Sequence, residues 1–159
     1  MLTRRRLLLA APALFALTAC GDNARFSSKA PPADALPLFP GESHEVRGLI
    51  NHFADHYEVP RTLVHRVVQR ESGYNPGARN GPYYGLMQIL PQTARGMGFA
   101  GTPGDLLQAD TNLKYGVKYL RGAWLCADGD EKTAMMWYAK GYYYEAKRRG
   151  IRADAGLSA

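Results

Sequence analysis

From Ser43 onward the apolar residues of this chain return at every third and fourth position, a spacing that restricts it to helices. Val46, Leu49, Ile50, Phe53, Ala54 and Tyr57 fall on one face of a first helix, with Ser43 placed to cap it. Pro60, tolerated at a helix start, opens a second helix whose buried stripe is Leu63, Val64, Val67 and Val68 and which ends around Glu71 to Gly73. Glycine, asparagine and proline make 73–81 a loop. A short helix is predicted around Leu86 to Leu90 and another after Pro91. Asp110 or Thr111 then caps a longer helix with Leu113, Gly116, Val117, Leu120 and Trp124 turned inward. Asp128-Gly129-Asp130 makes a turn and a new cap before a helix through Ala134, Met135 and Tyr138, and a last helix runs from Tyr142 to Arg149. Nothing alternates with period two over the length of a strand. The fold class is therefore all-α: one irregular helical domain over 43–150, without internal repeats, followed by a frayed tail over 151–159.

The first nineteen residues do not belong to that domain. Arg4, Arg5 and Arg6 precede an apolar run from Leu7 to Ala19, broken only by Pro12 and Thr18, which is the pattern of an export signal. The run is shorter than the roughly 20 apolar residues that a membrane-spanning helix needs. Thr3 to Leu8 fits both a generic basic leader and a twin-arginine export motif. Leu17-Thr18-Ala19-Cys20 resembles the lipobox of bacterial lipoproteins, which implies cleavage before Cys20 and acylation of that cysteine. Several acyl chains, each adding about 0.8 kcal/mol per buried methylene, would hold the protein at a membrane surface without a spanning helix. Residues 21–42 carry Pro31, Pro32, Pro37 and Pro40 among small and polar residues with no apolar period, and read as a tether. Gly21 lacks the aspartate associated with inner-membrane retention, so the expected place is the periplasmic face of the outer membrane.

The formal charge of +6 includes the three arginines of the leader, so the mature body is only mildly basic. That suits a polyanionic wall or lipid headgroups and falls far short of the basic stripe nucleic-acid binding requires. With Cys20 acylated, Cys126 has no partner in the chain, which excludes a disulfide framework and a cysteine metal site and marks Cys126 as a buried, inert thiol. His52 and His56 have the i, i+4 spacing of a metal pair but no third ligand, and read as a solvated face. His65 has no nucleophile beside it in the sequence. Lys147, Arg148, Arg149 and Arg152 form a solvated helix end or a wall-facing patch. No metal and no cofactor are expected.

One residue is chemically out of place. Glu71 stands four residues after Val67 and eight after Leu63, so helical spacing carries its carboxylate onto the inward face. Partial burial and the negative end of the helix dipole both disfavour ionisation there, which prepares a general acid. Gly85-Leu86-Met87-Gln88 follows, preceded by Tyr83 and Tyr84. Gln88 is placed to orient Glu71 or bond a sugar, and Gly85 lets another backbone come close.

Arg70-Glu71-Ser72-Gly73 followed by Gly85-Leu86-Met87-Gln88-Ile89-Leu90-Pro91 resembles the Glu-Ser and Gly-Leu-Met-Gln motifs of the soluble-lytic-transglycosylase-like family, in the same order. Asp105-Leu106-Leu107 and Asp110-Thr111-Asn112-Leu113 are similar to that family's next segment, where an asparagine opens the long helix. The resemblance covers about residues 45–150. It implies a goose-lysozyme type of helical fold and an enzyme that cleaves peptidoglycan glycan strands to 1,6-anhydro ends. Glu71 would be the sole general acid and base, with Ser72, Gly85, Leu86, Met87, Gln88 and Tyr138 on the substrate side. Asp105 and Asp110 read as helix-opening residues rather than a second catalytic acid. Tyr83, Tyr84, Tyr138 and Tyr144 are candidates for stacking on sugars. The family's Ala-Tyr-Asn-Ala-Gly stretch is Trp137-Tyr138-Ala139-Lys140-Gly141 here, so Tyr138 and Gly141 are kept and Ala139 replaces the asparagine.

Two other readings follow from the same residues. One is a muramidase that hydrolyses the same bond with water. The other is a non-catalytic peptidoglycan-binding lipoprotein that serves as a scaffold for an envelope machine, motivated by Ala139. In each reading the partners are glycan strands and a membrane reached through the lipid, not nucleic acid, and the chain is expected to be a monomer.

Overall fold

Residues 37–157 are described by the structure, a computed structural model. The export signal, Cys20 and the linker as far as residue 36 lie outside the described residues, as do the last two of the tail. The helical spacing is realised as α1 (His44–His56), α2 (Arg61–Ser72), α3 (Pro91–Gly96), a 3-10 turn (Pro103–Leu107), α4 (Ala109–Cys126), α5 (Glu131–Lys140) and α6 (Tyr143–Arg149). Ser43 caps α1 by accepting from the Val46 N–H at 3.1 Å, and Asp130 caps α5 by accepting from Thr133 at 2.8 Å. Pro60 precedes α2 as its N-cap. Helix α4 begins at Ala109, ahead of the expected Asp110 or Thr111 cap. Asp110 sits inside its first turn, where a negative charge meets the positive end of the helix.

Helix α4 is the axis of the domain. Leu113, Val117 and Leu120 are fully buried along it, facing Ile50, Phe53 and Ala54 of α1, Leu63, Val64, Val67 and Val68 of α2, and Ala134 of α5 in one core. Each large aliphatic side chain removed from water there contributes about 1.5–3 kcal/mol, and this burial rather than helix propensity holds the short helices in place. A smaller cluster of Ile89, Ala94, Phe99 and Leu106 packs beside it. Cys126 is buried with its thiol free, and burial pushes its pKa up. No helix of the described residues is long and apolar enough to cross a membrane.

Three sequence expectations are corrected. Residues 86–90 are not a helix. A two-residue Gly81-Pro82 turn joins Arg79–Asn80 (β1) to Tyr83–Tyr84 (β2) as a small antiparallel hairpin, and Tyr84 then bridges to Ile89. Gly85 and Gln88 are both in the left-handed region, at φ 70 and φ 46, and Pro91 keeps Leu90 extended, so a right-handed helix cannot run through them. Residues 37–42, read with the tether on composition, pack on the helices. Glu42 is buried in an ion pair with Arg47, whose guanidinium also donates to the Pro37 carbonyl at 3.0 Å, while Phe39 stacks on Tyr74. Burial pushes Glu42 up, but its bonds from Arg47 and the Phe39 N–H more than offset this and hold it below its ordinary value. The tail is not frayed as far as 157. Ala155 is buried, its carbonyl accepts from the Tyr142 hydroxyl at 3.3 Å, and helical-type turns close through Leu157.

The stretch from Gly73 to Leu90 has little regular hydrogen bonding of its own, and Asn112 supplies it from α4. At 0% exposure its Oδ1 accepts from the Met87 N–H at 2.8 Å, and its Nδ2 donates to the carbonyls of Tyr84 at 2.8 Å and Leu106 at 2.7 Å. Gly85 admits this arrangement, because a Cβ there would overlap the Asn112 amide and the Leu106 carbonyl. Gly116, one turn further along α4, does the same for Met87, whose sulfur would lie 2.6 Å from a Cβ. Replacing Asn112 with alanine strips three bonds, to the Met87 N–H and to the Leu106 and Tyr84 carbonyls, of which only the Tyr84 carbonyl keeps another donor, the Ile89 N–H. Thermal unfolding of Asn112→Ala should therefore show a loss of about 3 kcal/mol, a fall in Tm on the order of 10 °C. An unchanged Tm would refute this account of the loop.

Candidate active site

Glu71 occupies the last turn of α2, the segment whose Leu63, Val64, Val67 and Val68 stripe anchors it to the core. That anchoring turns the carboxylate towards the hairpin and α5 instead of into solvent. Its side chain is 24% exposed, and it lines a hollow of about 350 Å³ together with Arg70, Asn80, Tyr83, Gln88, Tyr138 and Ala139. A second hollow of about 200 Å³ shares Tyr83, Gln88, Tyr138 and Ala139 and continues along Ile89, Leu90, Thr93, Tyr119, Lys140 and Gly141. The two form one cleft between the hairpin with its following loop on one side and the end of α5 on the other. A wider hollow of about 510 Å³ lies elsewhere, between residues 37–39, α1 and α2, and none of the chemistry-bearing motif residues reaches it.

Burial raises the Glu71 carboxyl above its ordinary value, and the charge of Arg70, with Nε 3.4 Å away, opposes that rise without cancelling it. Tyr138 is pushed far up by burial first and by Glu71 second, so its hydroxyl stays protonated beside the acid. That hydroxyl donates to the Met87 carbonyl at 2.7 Å, locking α5 to the Gly85–Gln88 turn. Tyr119 packs edge-on against Tyr138, with ring centroids 5.4 Å apart, and fixes its orientation from α4. Among the described residues that line the cleft, Glu71 is the one carboxylate. Asp105 instead closes the turn after Thr102 as a cap, accepting from its N–H at 2.8 Å.

The residues expected around the acid separate into those that reach the cleft and those that build it. Gln88 lines both hollows. Its side-chain amide donates to the carbonyls of Gly85 at 2.9 Å and Ala78 at 3.1 Å, which holds the residue in its left-handed conformation. Tyr138 and Tyr83, the latter 42% exposed, also line it. Leu86 and Met87 are fully buried and contribute packing and the Met87 carbonyl, not a substrate-facing side chain. Gly85 contributes close backbone approach. Ser72 is not in the lining; its hydroxyl bonds back to the Val68 carbonyl at 3.1 Å. Tyr84 turns towards the Arg79 guanidinium, 4.8 Å from its ring, and Tyr144, 83% exposed, lies in neither hollow.

Sequence reading missed Arg70, Asn80, Thr93, Tyr119 and Lys140 as cleft residues. The Gly81-Pro82 pair was the available signal for the turn that presents Asn80 and Tyr83. The others carried none, because their position depends on how separate helices meet. His65 is structural. Its Nδ1 is 3.1 Å from the Tyr74 hydroxyl and near Glu42, and burial lowers its pKa. His52 and His56 are exposed on α1 with stacked rings, and the described residues contain no cluster of three metal-ligating side chains.

Residues 48–155 match the family model described as the transglycosylase SLT domain. The fold is similar to that of the 70 kDa soluble lytic transglycosylase SLT70 from Escherichia coli, with a TM-score of 0.59 at 24% identity over 74% of this chain. The chain spans 20% of the length of SLT70, so the likeness concerns the fold of one part of that enzyme. With the family model extending over the helical body and both walls of its cleft, this chain belongs to the transglycosylase SLT-domain family.

Proposed function

We propose that this chain is a peptidoglycan lytic transglycosylase of the bacterial envelope, anchored through a lipid on Cys20, with Glu71 as its only general acid and base. The observation that carries the reading is a single half-buried carboxyl, raised in pKa, on the wall of an open cleft whose described lining residues include no second acid. Glycosidases with a water nucleophile use a pair of carboxyl groups at a set separation, and substrate assistance is the recognised alternative when only one is present.

In the proposed cycle, protonated Glu71 gives its proton to the glycosidic oxygen between N-acetylmuramic acid and N-acetylglucosamine. The acetamido oxygen of the muramoyl sugar attacks its own C1 as the C1–O bond breaks, and the N-acetylglucosamine leaves as an alcohol. The muramoyl 6-hydroxyl oxygen next attacks C1 and displaces the acetamido oxygen, while the Glu71 carboxylate takes the hydroxyl proton. The 1,6-anhydro ring closes without water, and Glu71 returns to its acid form. Tyr138, held by the Met87 carbonyl, is positioned at the acetamido side, and Gln88 and Tyr83 supply polar and stacking contacts to the strand. The lipid anchor would place this cleft at the periplasmic face of the outer membrane.

Glu71→Gln should lower kcat on purified peptidoglycan by about 10²–10⁴-fold with little change in KM. Mass spectrometry of the wild-type digest should show anhydro-muramoyl ends. Reducing ends alone would replace this reading with a hydrolytic muramidase. Binding without product from the wild type would favour the scaffold reading that Ala139 on the cleft wall suggests.

The pH profile follows from the direction of the Glu71 shift. The acid form must be present, so kcat/KM should fall as pH rises through the Glu71 pKa, with a midpoint above the ordinary 4.5. Arg70→Gln removes the charge that opposes the rise and should move that midpoint higher. A group whose folded pKa is raised contributes stability below the unfolded value and loses it as pH rises through the folded one. Glu71→Gln should therefore gain stability relative to wild type as pH increases across that window. A kinetic midpoint at or below 4.5 would contradict the burial argument. For the anchor, metabolic labelling should attach fatty acid to the wild-type protein and none to Cys20→Ala; equal labelling of both would remove Cys20 as the site.

A further inference from the structure

Lys140 is the last residue of α5 and stands on the wall of the second hollow. Its ammonium lies 5.8 Å from the centroid of the Trp137 ring, one turn back on the same helix, which steadies an otherwise exposed side chain. The other described residues lining that hollow, Tyr83, Gln88, Thr93 and Tyr138 among them, are all uncharged. Among the described residues no carboxylate forms an ion pair with Lys140. The first hollow contributes Arg70 and Glu71. When Glu71 carries the proton that acid catalysis requires, the described residues lining the cleft include the cations Arg70 and Lys140 and no negative charge.

A neutral sugar chain can take only hydrogen bonds from such an arrangement, whereas a strand bearing carboxylates gains ion pairs as well. Ala139 is small and Lys140 places a cation beside it on the same wall. We propose that Lys140 is a specificity-determining residue that binds a carboxylate carried by the glycan strand, one hollow along from the bond facing Glu71. The inference rests on the reading of this cleft as a peptidoglycan site. Muramoyl sugars offer the carboxylate in two forms: the free lactyl acid where the peptide stem has been removed, and the acids of the stem where it remains. A lysine suits either, being a flexible point charge with three donors and no required planar geometry.

The test measures binding separately from turnover. The full-length protein carrying Glu71→Gln, with and without Lys140→Gln or Lys140→Arg, is titrated against three strand preparations. These are stem-bearing strands, strands stripped by an amidase, and strands whose carboxyl groups have been converted to amides. Lys140→Gln should weaken binding to at least one carboxylate-bearing preparation by roughly fivefold, the size expected of a solvent-exposed charge pair. Lys140→Arg should restore most of it, and amidated strands should bind both proteins alike. A loss confined to stripped strands assigns the lactyl carboxylate, and one confined to stem-bearing strands assigns the stem. A change under about twofold on both carboxylate-bearing preparations, or an equal loss on amidated strands, would overturn the proposal. Anhydro-product formation by the wild type is followed in parallel; its absence would remove the transglycosylase reading while the affinities still decide whether Lys140 reads a carboxylate.

Discussion

The side chain of Asn112 is the point on which the cleft depends. A buried amide with one acceptor and two donors, all used, is matched to one backbone N–H and two carbonyls of the Gly73–Leu90 stretch and the 3-10 turn, of which the Tyr84 carbonyl also accepts from the Ile89 N–H. Without it, the loop that carries Gln88 would have to find water for those groups or fold differently, and each unsatisfied buried group costs about 1–3 kcal/mol. The consequence reaches the chemistry, because the Met87 carbonyl that receives the Tyr138 hydroxyl belongs to the same turn. One interaction from α4 thus sets the distance between the hairpin wall and the α5 wall.

How much of this could be read from the sequence depended on the range of the interactions involved. The inward turn of Glu71 was legible, because it follows from the spacing to Val67 and Leu63 on one helix. The turn from Gly85 to Gln88 was not. Its conformation is fixed by Asn112, 25 positions from Met87, and by Tyr138, 51 positions away. An apolar Leu-Met-x-Ile-Leu run without that context reads as helix. The segment from Pro37 to Glu42 misled in the opposite way. Its prolines speak for a tether, but Glu42 has a specific counter-charge in Arg47 and Phe39 a ring to stack on in Tyr74. Residues 151–157 likewise gave no apolar period, and what orders them is Ala155 against the Tyr142 hydroxyl.

The tyrosines show why residue type alone did not sort function from packing. Tyr119, Tyr138 and Tyr142 form a continuous aromatic contact, with Tyr119 4.8 Å from the ring of Tyr142 and 5.4 Å from that of Tyr138. Tyr142 is wholly in the core, Tyr138 has one edge on the cleft, and Tyr119 joins them. Rigid packing of this kind fixes a hydroxyl more firmly than a surface loop can, which is what the role proposed for Tyr138 would require. Tyr83 is the contrasting case. It stands on a two-residue strand, 42% exposed, with a ring that is not packed into the core.

Burial and Arg70 act on Glu71 in opposite directions, and the balance between them suits the proposed cycle, in which one residue both gives and takes a proton. Complete burial would hold the carboxyl protonated and make it a poor base in the second half of the cycle. Full exposure beside Arg70 would hold it ionised and make it a poor acid in the first half. At the end of α2 the carboxyl is only partly covered, and the arginine is 3.4 Å away but itself half open to solvent, which weakens its field. A strand lying in the cleft would displace water from both. The carboxyl, already raised by desolvation, would lose more of its hydration, while Arg70 at the rim would keep more of its own. In the proposed cycle the substrate itself would complete the acid, and the helix end is a place in the fold where one carboxyl can be both shielded and reached.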